Sequence, residues 1–255
     1  MRRNGRFAWY ELLTTDVPAS IAFYREIMGW DTQKWQGPMD YVLWTVGETP
    51  IGGVARLSDE AQRMGAPPHW VPYVGVANVD ATAMQAEGLG ARVRVPPTDI
   101  PGAGRISVLT DPQGAVFALH ESGPGALEMA RPEPPTPGAI SWHELLTDDF
   151  EVALSFYAVL FGWQRTESMD MGPPGTYQMY GKDGRTLGGM MNRPEDMPAP
   201  PHWLLYTYVG DLDGALAKVR VHGGQVLNGP MDIPGGDRVA QCLDAQGAAF
   251  ALHGK

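Results

Sequence analysis

The chain has a single cysteine, Cys242, in 255 residues. That excludes an intramolecular disulfide and any zinc site built on cysteine thiolates. Cys242 lies in the strand-like run Val239-Ala240-Gln241-Cys242-Leu243 and reads as a small buried hydrophobe. Positive charge is also scarce. Lys and Arg number 19 against 29 Asp and Glu, a formal net charge of −10. The deficit is spread along the chain, with 10 basic and 14 acidic residues up to Ala130, then 9 and 15. A phosphate backbone needs clustered Lys and Arg, so nucleic acid is excluded as a partner. No run of about 18 apolar residues is present, so no membrane-spanning helix is expected. The first residues, Met1-Arg2-Arg3-Asn4-Gly5-Arg6, lead straight into a strand pattern without the apolar run of a signal peptide. The expected location is cytoplasmic.

What the chain does have is an internal repeat. Phe7-Ala8-Trp9-Tyr10-Glu11-Leu12-Leu13-Thr14 matches Ile140-Ser141-Trp142-His143-Glu144-Leu145-Leu146-Thr147, an offset of 133 residues. The same offset pairs Asp16 with Asp149, Phe23-Tyr24 with Phe156-Tyr157, and Gly29-Trp30 with Gly162-Trp163. It also pairs Pro67-Pro68-His69-Trp70 with Pro200-Pro201-His202-Trp203. Farther on, Asp99-Ile100-Pro101-Gly102 matches Asp232-Ile233-Pro234-Gly235, and Gln113 to His120 matches Gln246 to His253. Between these, Ile51-Gly52-Gly53 matches Leu187-Gly188-Gly189 at an offset of 136, so the second copy has three extra residues near Met171–Thr176. Two domains follow, 5–122 and 139–254. They are joined by 123–138, whose run Arg131-Pro132-Glu133-Pro134-Pro135-Thr136-Pro137 reads as a semi-rigid spacer.

Each copy divides again. Residues 7–15 read as a strand, and Asp16 is an N-cap with Pro18 in the first turn. Ile21, Phe23, Tyr24, Ile27 and Met28 have helical spacing, and Gly29 ends the helix. Strands are expected around Tyr41–Val46 and Ile51–Leu57, after which the pattern restarts. Trp70–Ala77 reads as a strand and Asp80–Gly88 as a helix. Arg92–Val95, Arg105–Thr110 and Ala115–Glu121 read as strands. The chain thus holds four βαβββ modules, an α+β fold.

The Leu-Leu-Thr-x-Asp strand end, the Phe23-Tyr24…Gly29-Trp30 helix and the Asp111-Pro112-Gln113-Gly114 turn, each repeated, resemble the vicinal oxygen chelate superfamily of glyoxalases, bleomycin-resistance proteins and ring-cleaving dioxygenases. The Trp-x-Glu-Leu opening and Gln-Gly-Ala-x-Phe-Ala-Leu ending look closest to its tandem glyoxalase-like subgroup. The resemblance implies sheets cupped into half-barrels with helices outside. It also implies a divalent metal held by His, Glu or Gln on the first and last strands of each module. Here those positions hold Trp9, Trp142, Val71, Leu204, Ala118 and Ala251, none of which can ligate a metal. The fourth position, within Ile51–Leu57 and Leu187–Arg193, has no His, Glu or Asp. No metal site and no cofactor are therefore expected. A divalent metal would require relocated ligands such as Glu11, His69 and His120.

Strand alternation then puts Trp9, Glu11, His69, Tyr73 and His120 on the concave side of the first copy, and Trp142, Glu144, His202, Tyr206 and His253 on that of the second. Glu11 and Glu144 are the candidate acid–base groups, and the others are candidate ligand-binding side chains. Plainer readings stand beside these. Glu11 and Glu144 could pair with Arg105 and Arg238. His69 and His202 could mark a turn after two prolines. His120 and His253 lie near domain ends. Asp99 with Arg105, and Asp232 with Arg238, read as loop braces or as a grip on a polar substrate. His143 reads as structural, facing the helices. Trp35 and Trp44, with no tryptophan counterparts, imply two cavities of different shape. The expected function is small-molecule binding, or metal-independent isomerase, lyase or hydroxylase-like chemistry, on a small and possibly aromatic compound. The alternative is a metal-dependent glyoxalase or dioxygenase with relocated ligands. A monomer or homodimer is compatible with either.

Overall fold

The computed structural model describes residues 4–37, 39–123 and 135–255. Most of the expected proline-rich spacer, residues 124–134, lies outside the described residues. The first copy runs β1 (Phe7–Thr14), α1 (Val17–Met28), β2 (Asp31–Lys34), β3 (Val42–Val46), β4 (Thr49–Arg56), α2 (Asp59–Arg63), β5 (His69–Gly75), α3 (Val79–Gly88), β6 (Arg92–Ile100), β7 (Gly104–Thr110) and β8 (Val116–Ser122). The second runs β9 (Ile140–Thr147), α4 (Phe150–Phe161), β10 (Gln164–Asp170), β11 (Thr176–Lys182), β12 (Arg185–Asn192), β13 (His202–Val209), α5 (Leu212–Val221), β14 (Gln225–Asp232), β15 (Arg238–Leu243) and β16 (Ala249–Gly254). Each copy forms one mixed eight-stranded sheet. The orders, β2-β3-β4-β1-β5-β8-β7-β6 and β10-β11-β12-β9-β13-β16-β15-β14, are identical once renumbered. No helix among the described residues is long and apolar enough to cross a membrane.

The caps set the helix limits. Asp16 accepts from the Ala19 amide and Asp149 from those of Glu151 and Val152, which satisfies donors that a helix start leaves open. Gly29 and Gly162 end α1 and α4 at φ 69° and 71°, a conformation that costs a side-chain-bearing residue about 1 kcal/mol or more. β2 and α2 were not legible. β2 is Asp-Thr-Gln-Lys, mostly exposed and without an apolar face, and α2 is a five-residue helix with no buried residue.

Compactness divides the described chain into two units that are not the two copies. One comprises 4–9, 71–123 and Trp142–Leu204; the other comprises 10–37, 39–70, 135–141 and Leu205–Lys255. The first unit has an aromatic core in which Trp163 stacks on Tyr180 at 4.5 Å and Tyr157 meets Phe117 edge-on at 5.5 Å. His143 belongs to this core. It lies 3.8 Å from the Phe7 ring, and its Nδ1 meets the Leu187 carbonyl at 2.7 Å, in keeping with a structural role. The second unit's core joins Tyr24, Trp30, Trp44, Trp70 and Phe250. Trp44 is fully buried there, so it shapes this core and not a cavity; its counterpart in the second copy is Tyr180.

One polar pair recurs in both cores. The Tyr24 hydroxyl donates to Asp244 at 3.1 Å, and Tyr157 donates to Asp111 at 3.0 Å. Each tyrosine comes from a Phe-Tyr pair and each aspartate from a turn before a last strand. Asp111 also accepts from the amides of Gln113 and Ala115, and Asp244 from those of Gln246 and Ala248. Burial pushes both carboxyls above their ordinary value and both phenols well above theirs. The turn residues thus do more than reverse the chain: they bind the Phe-Tyr helix that packs beside them.

Candidate functional site

β1 shows how a strand separates two environments. Ala8, Tyr10, Leu12 and Thr14 are buried, while Trp9, Glu11 and Leu13 are half-exposed. Glu11 therefore projects from the open face. β4 runs parallel beside it, with Glu11 level with Gly53. The ring of Tyr41 lies against Gly53 so closely that a Cβ there would overlap it. Trp35 meets Tyr41 edge-on at 6.1 Å. Tyr41 and Gly53 are thus fitted to each other, and Glu11 sits beside them on the neighbouring strand.

The second copy repeats this arrangement in closed form. Glu144 is level with Gly189, and the Tyr177 ring occupies the space over Gly189. The Tyr177 hydroxyl donates to Glu144 Oε2 at 3.0 Å, and Trp142 Nε1 donates to the Tyr177 oxygen at 2.7 Å. Trp142 and Glu144, two residues apart on β9, converge on one phenol, as side chains on the same face must. Glu144 is 5% exposed and Tyr177 8%. A carboxylate is acceptor-only, so the phenol supplies the proton in their bond. Tyr41 and Tyr177 were missed as site residues. The signal was the Gly-Gly pair in each copy, which marks close approach of a bulky group.

The remaining candidates have bonds of their own. His69 and His202 fold back through Nδ1 onto the Pro67 and Pro200 carbonyls, each at 2.8 Å. Burial lowers the pKa of both rings. That matches the turn reading of the Pro-Pro-His segments. Tyr73 is buried, and the Tyr206 hydroxyl accepts from Gln241 at 3.3 Å. The His120 Nε2 lies 3.0 Å from the Ala103 carbonyl. His253 meets Ser141 and Asp237, not Trp142. Arg105 grips Asp80 through two bonds of 2.7 and 2.9 Å and Asp99 at 2.9 Å. Arg238 grips Asp213 through two bonds of 3.2 and 2.9 Å. These arginines brace their hairpins against Asp80 and Asp213 on the helices that precede them, partners that sequence spacing does not indicate. A cavity of about 400 Å³ lies beside the first brace, lined among others by Asp99, Arg105, Glu121 and Gly123.

The metal positions implied by the resemblance can be tested against these side chains. Trp142 and Glu144 are committed to Tyr177, and the tyrosine ring fills the space that a ligand side chain at Gly189 would need. A carboxylate already bonded to a phenol, beside an indole that only donates, is a poor donor set for a divalent first-row ion. Among the described residues, no three His, Cys, Asp or Glu side chains are grouped so as to hold a metal ion. The residues present do not fit the group.

Comparison with known proteins agrees with the repeat. The family model described as Glyoxalase/Bleomycin resistance protein/Dioxygenase superfamily matches twice, over residues 6–119 and 139–252. "Putative glyoxylase CFP32" of Mycobacterium tuberculosis (strain CDC 1551 / Oshkosh) is 35% identical, with 98% of this chain and 95% of that protein covered. "Anthracycline biosynthesis protein DauV" of Streptomyces sp. (strain C5) is 30% identical over 97% of this chain and 92% of its own length. Among solved structures, the Mn(II)-bound glyoxalase from Novosphingobium aromaticivorans superposes with a TM-score of 0.66 at 15% identity, covering 99% of this chain and 82% of that one. The 2,3-dioxygenase LapB from Pseudomonas sp. KL28 gives 0.65 at 11% identity, covering 98% and 92%. At such identities the solved structures speak for the fold alone. The two family matches and the full-length relatives establish that this chain belongs to the glyoxalase/bleomycin resistance protein/dioxygenase superfamily.

Proposed function

We propose that the chain binds a small, planar organic molecule and moves a proton on it without a metal, with Glu144 and Glu11 as the proton-accepting groups of the two copies. The observation that carries this reading is the Trp142–Tyr177–Glu144 chain of hydrogen bonds. It fixes a carboxylate next to a phenol in a nearly dry environment, where a proton can pass between fixed partners with little reorganisation. Glu11 has the same strand position on an open face and is the group a ligand reaches first. Indole and phenol rings suit a flat ligand, each aromatic pair adding about 0.5–1.5 kcal/mol beyond area burial. Relatives named for anthracycline biosynthesis make polycyclic aromatic ketones reasonable probes.

The test measures binding by quenching of tryptophan fluorescence with a panel of hydroxyanthraquinones, and proton transfer by exchange of ligand C–H for deuterium followed by NMR. Glu144→Gln, Glu11→Gln and Tyr177→Phe are compared with the parent chain. The expected result is affinity within about threefold in the glutamine variants, with exchange reduced about 100-fold or more in at least one. Binding without exchange in the parent chain would make it a sequestering protein. Exchange that appears only on adding Mn(II) or Fe(II) would overturn the metal-free reading.

A further inference from the structure

Outside the glutamate sites, one group of nucleophilic and titratable side chains stands out in the second unit. Ser141 Oγ lies 3.0 Å from His253 Nδ1, and His253 Nε2 lies 3.1 Å from Asp237 Oδ2. Ser141 is the second residue of β9, His253 the last but one of β16, and Asp237 sits in the turn between β14 and β15. From this geometry we infer that Ser141, His253 and Asp237 form an acyl-transfer site, with Ser141 as nucleophile, acting on small carboxylic esters.

Three features support the assignment. Asp237 can only accept, so His253 Nε2–H donates to it and Nδ1 is left to accept the serine proton. The aspartate thereby sets the tautomer that a general base needs. The Tyr208 ring, edge-on to the imidazole at 5.1 Å, limits its rotation, and the Tyr206 carbonyl, 3.2 Å from Ser141 Oγ, accepts from the hydroxyl, whose single proton must turn to the nearer His253 Nδ1 before attack. The constellation also belongs to one copy only. At the matching positions of the first copy stand Ala8 and Gly104, and His120 meets the Ala103 carbonyl at 3.0 Å. The histidine is therefore common to both, and the serine and the aspartate occur together where it has been redirected. The side chains of His253 and Asp237 are 17% and 28% exposed, and Ser141 is half-buried. Beside Asp237, Gly235 and Gly236 face open space, since a Cβ on either would meet nothing within 4 Å.

The reaction is balanced by the ester and water alone. Ser141 Oγ attacks the ester carbonyl carbon while its proton passes to His253 Nδ1. The new Oγ–C bond forms as the bond to the leaving oxygen breaks, and that oxygen takes the proton from Nδ1. Water then attacks the acyl-serine, giving one proton to Nδ1, which returns it to Oγ.

The test treats the full-length chain with a fluorophosphonate probe and maps the adduct by peptide mass spectrometry, alongside hydrolysis of p-nitrophenyl acetate. The expected adduct is on Ser141. Ser141→Ala, which installs the alanine that the first copy carries at Ala8 and so should fold, abolishes both adduct and hydrolysis. His253→Gln lowers the labelling rate about 100-fold or more, and Asp237→Asn lowers it in the same direction. An unlabelled Ser141, or labelling whose rate survives both His253→Gln and Asp237→Asn in variants that melt cooperatively, would overturn the assignment.

Discussion

The two copies place the same glutamate, glycine and tyrosine at matching positions, yet one set is half-exposed and the other covered. Glu11 and Tyr41 are half-exposed, whereas Glu144 and Tyr177 are almost entirely covered. The backbone does not cause the difference, since the register of glutamate against glycine is the same in both sheets. It lies in how deeply the tyrosine and the glutamate are covered. Tyr177 is held between an indole donor and a carboxylate acceptor. A duplicated domain can thus keep the register of glutamate against glycine while the burial of the two faces diverges, with no change of fold.

The largest expected effect tests that commitment. Gly189→Ala puts a methyl into the Tyr177 ring, so the phenol must leave Glu144. Overpacking costs about 1–3 kcal/mol and a buried acceptor losing its donor about 1–3 more. Gly53→Ala makes the same clash with Tyr41, which is half-exposed, so less burial is lost when its ring is displaced. Urea denaturation should therefore show Gly189→Ala as the more destabilising by about 1–3 kcal/mol. Equal losses would mean the two faces are equally closed.

A smaller effect concerns what the copies share. Asp111 and Asp244 both have carboxyls raised above the ordinary 3.8 by burial. A folded-state pKa above the unfolded one means that the folded chain holds its proton more tightly. The stabilisation is complete below the unfolded value and is lost as pH rises through the raised one. Asp111→Asn and Asp244→Asn should each flatten the fall in stability over that interval, and by similar amounts. Melting temperature against pH for the two variants checks this. A marked asymmetry would show that the cores, as well as the faces, have diverged.

The smallest effect comes from His69 and His202, whose rings burial holds below the ordinary value of 6.5. Here the stabilisation is present above 6.5 and is lost as pH falls through the lowered folded value. Ring proton shifts followed by NMR should titrate below 6.5 for both.

Much of this architecture could be read from the sequence, because the signals were local and strong. Asp16, Gly29 and their mates mark helix ends by capping chemistry, and the 133-residue offset fixes the duplication. Glu144 beside Trp142 followed from strand alternation alone. The parts that failed depend on partners distant in sequence. Nothing near Tyr177 tells that its ring will cover Gly189, and nothing near Ser141 tells that His253 will reach it from the other end of the domain. Arg105 does pair with Asp99, as proximity suggests, but its two-bond partner Asp80 is on a helix 25 residues away. Trp44 was assigned to a cavity because it lacked a matching tryptophan, and Tyr180 fills the same core role with another ring.

The Tyr24–Asp244 and Tyr157–Asp111 bonds bear on how such a chain can be cut or assembled. Each joins the helix of one repeat to the turn of the other. A half-length fragment would bare one phenol and one acid that burial has detuned, together with the aromatic surface around them. Severed halves should therefore recombine, or pair with copies of themselves, and the covalent join between repeats serves chiefly to raise their local concentration.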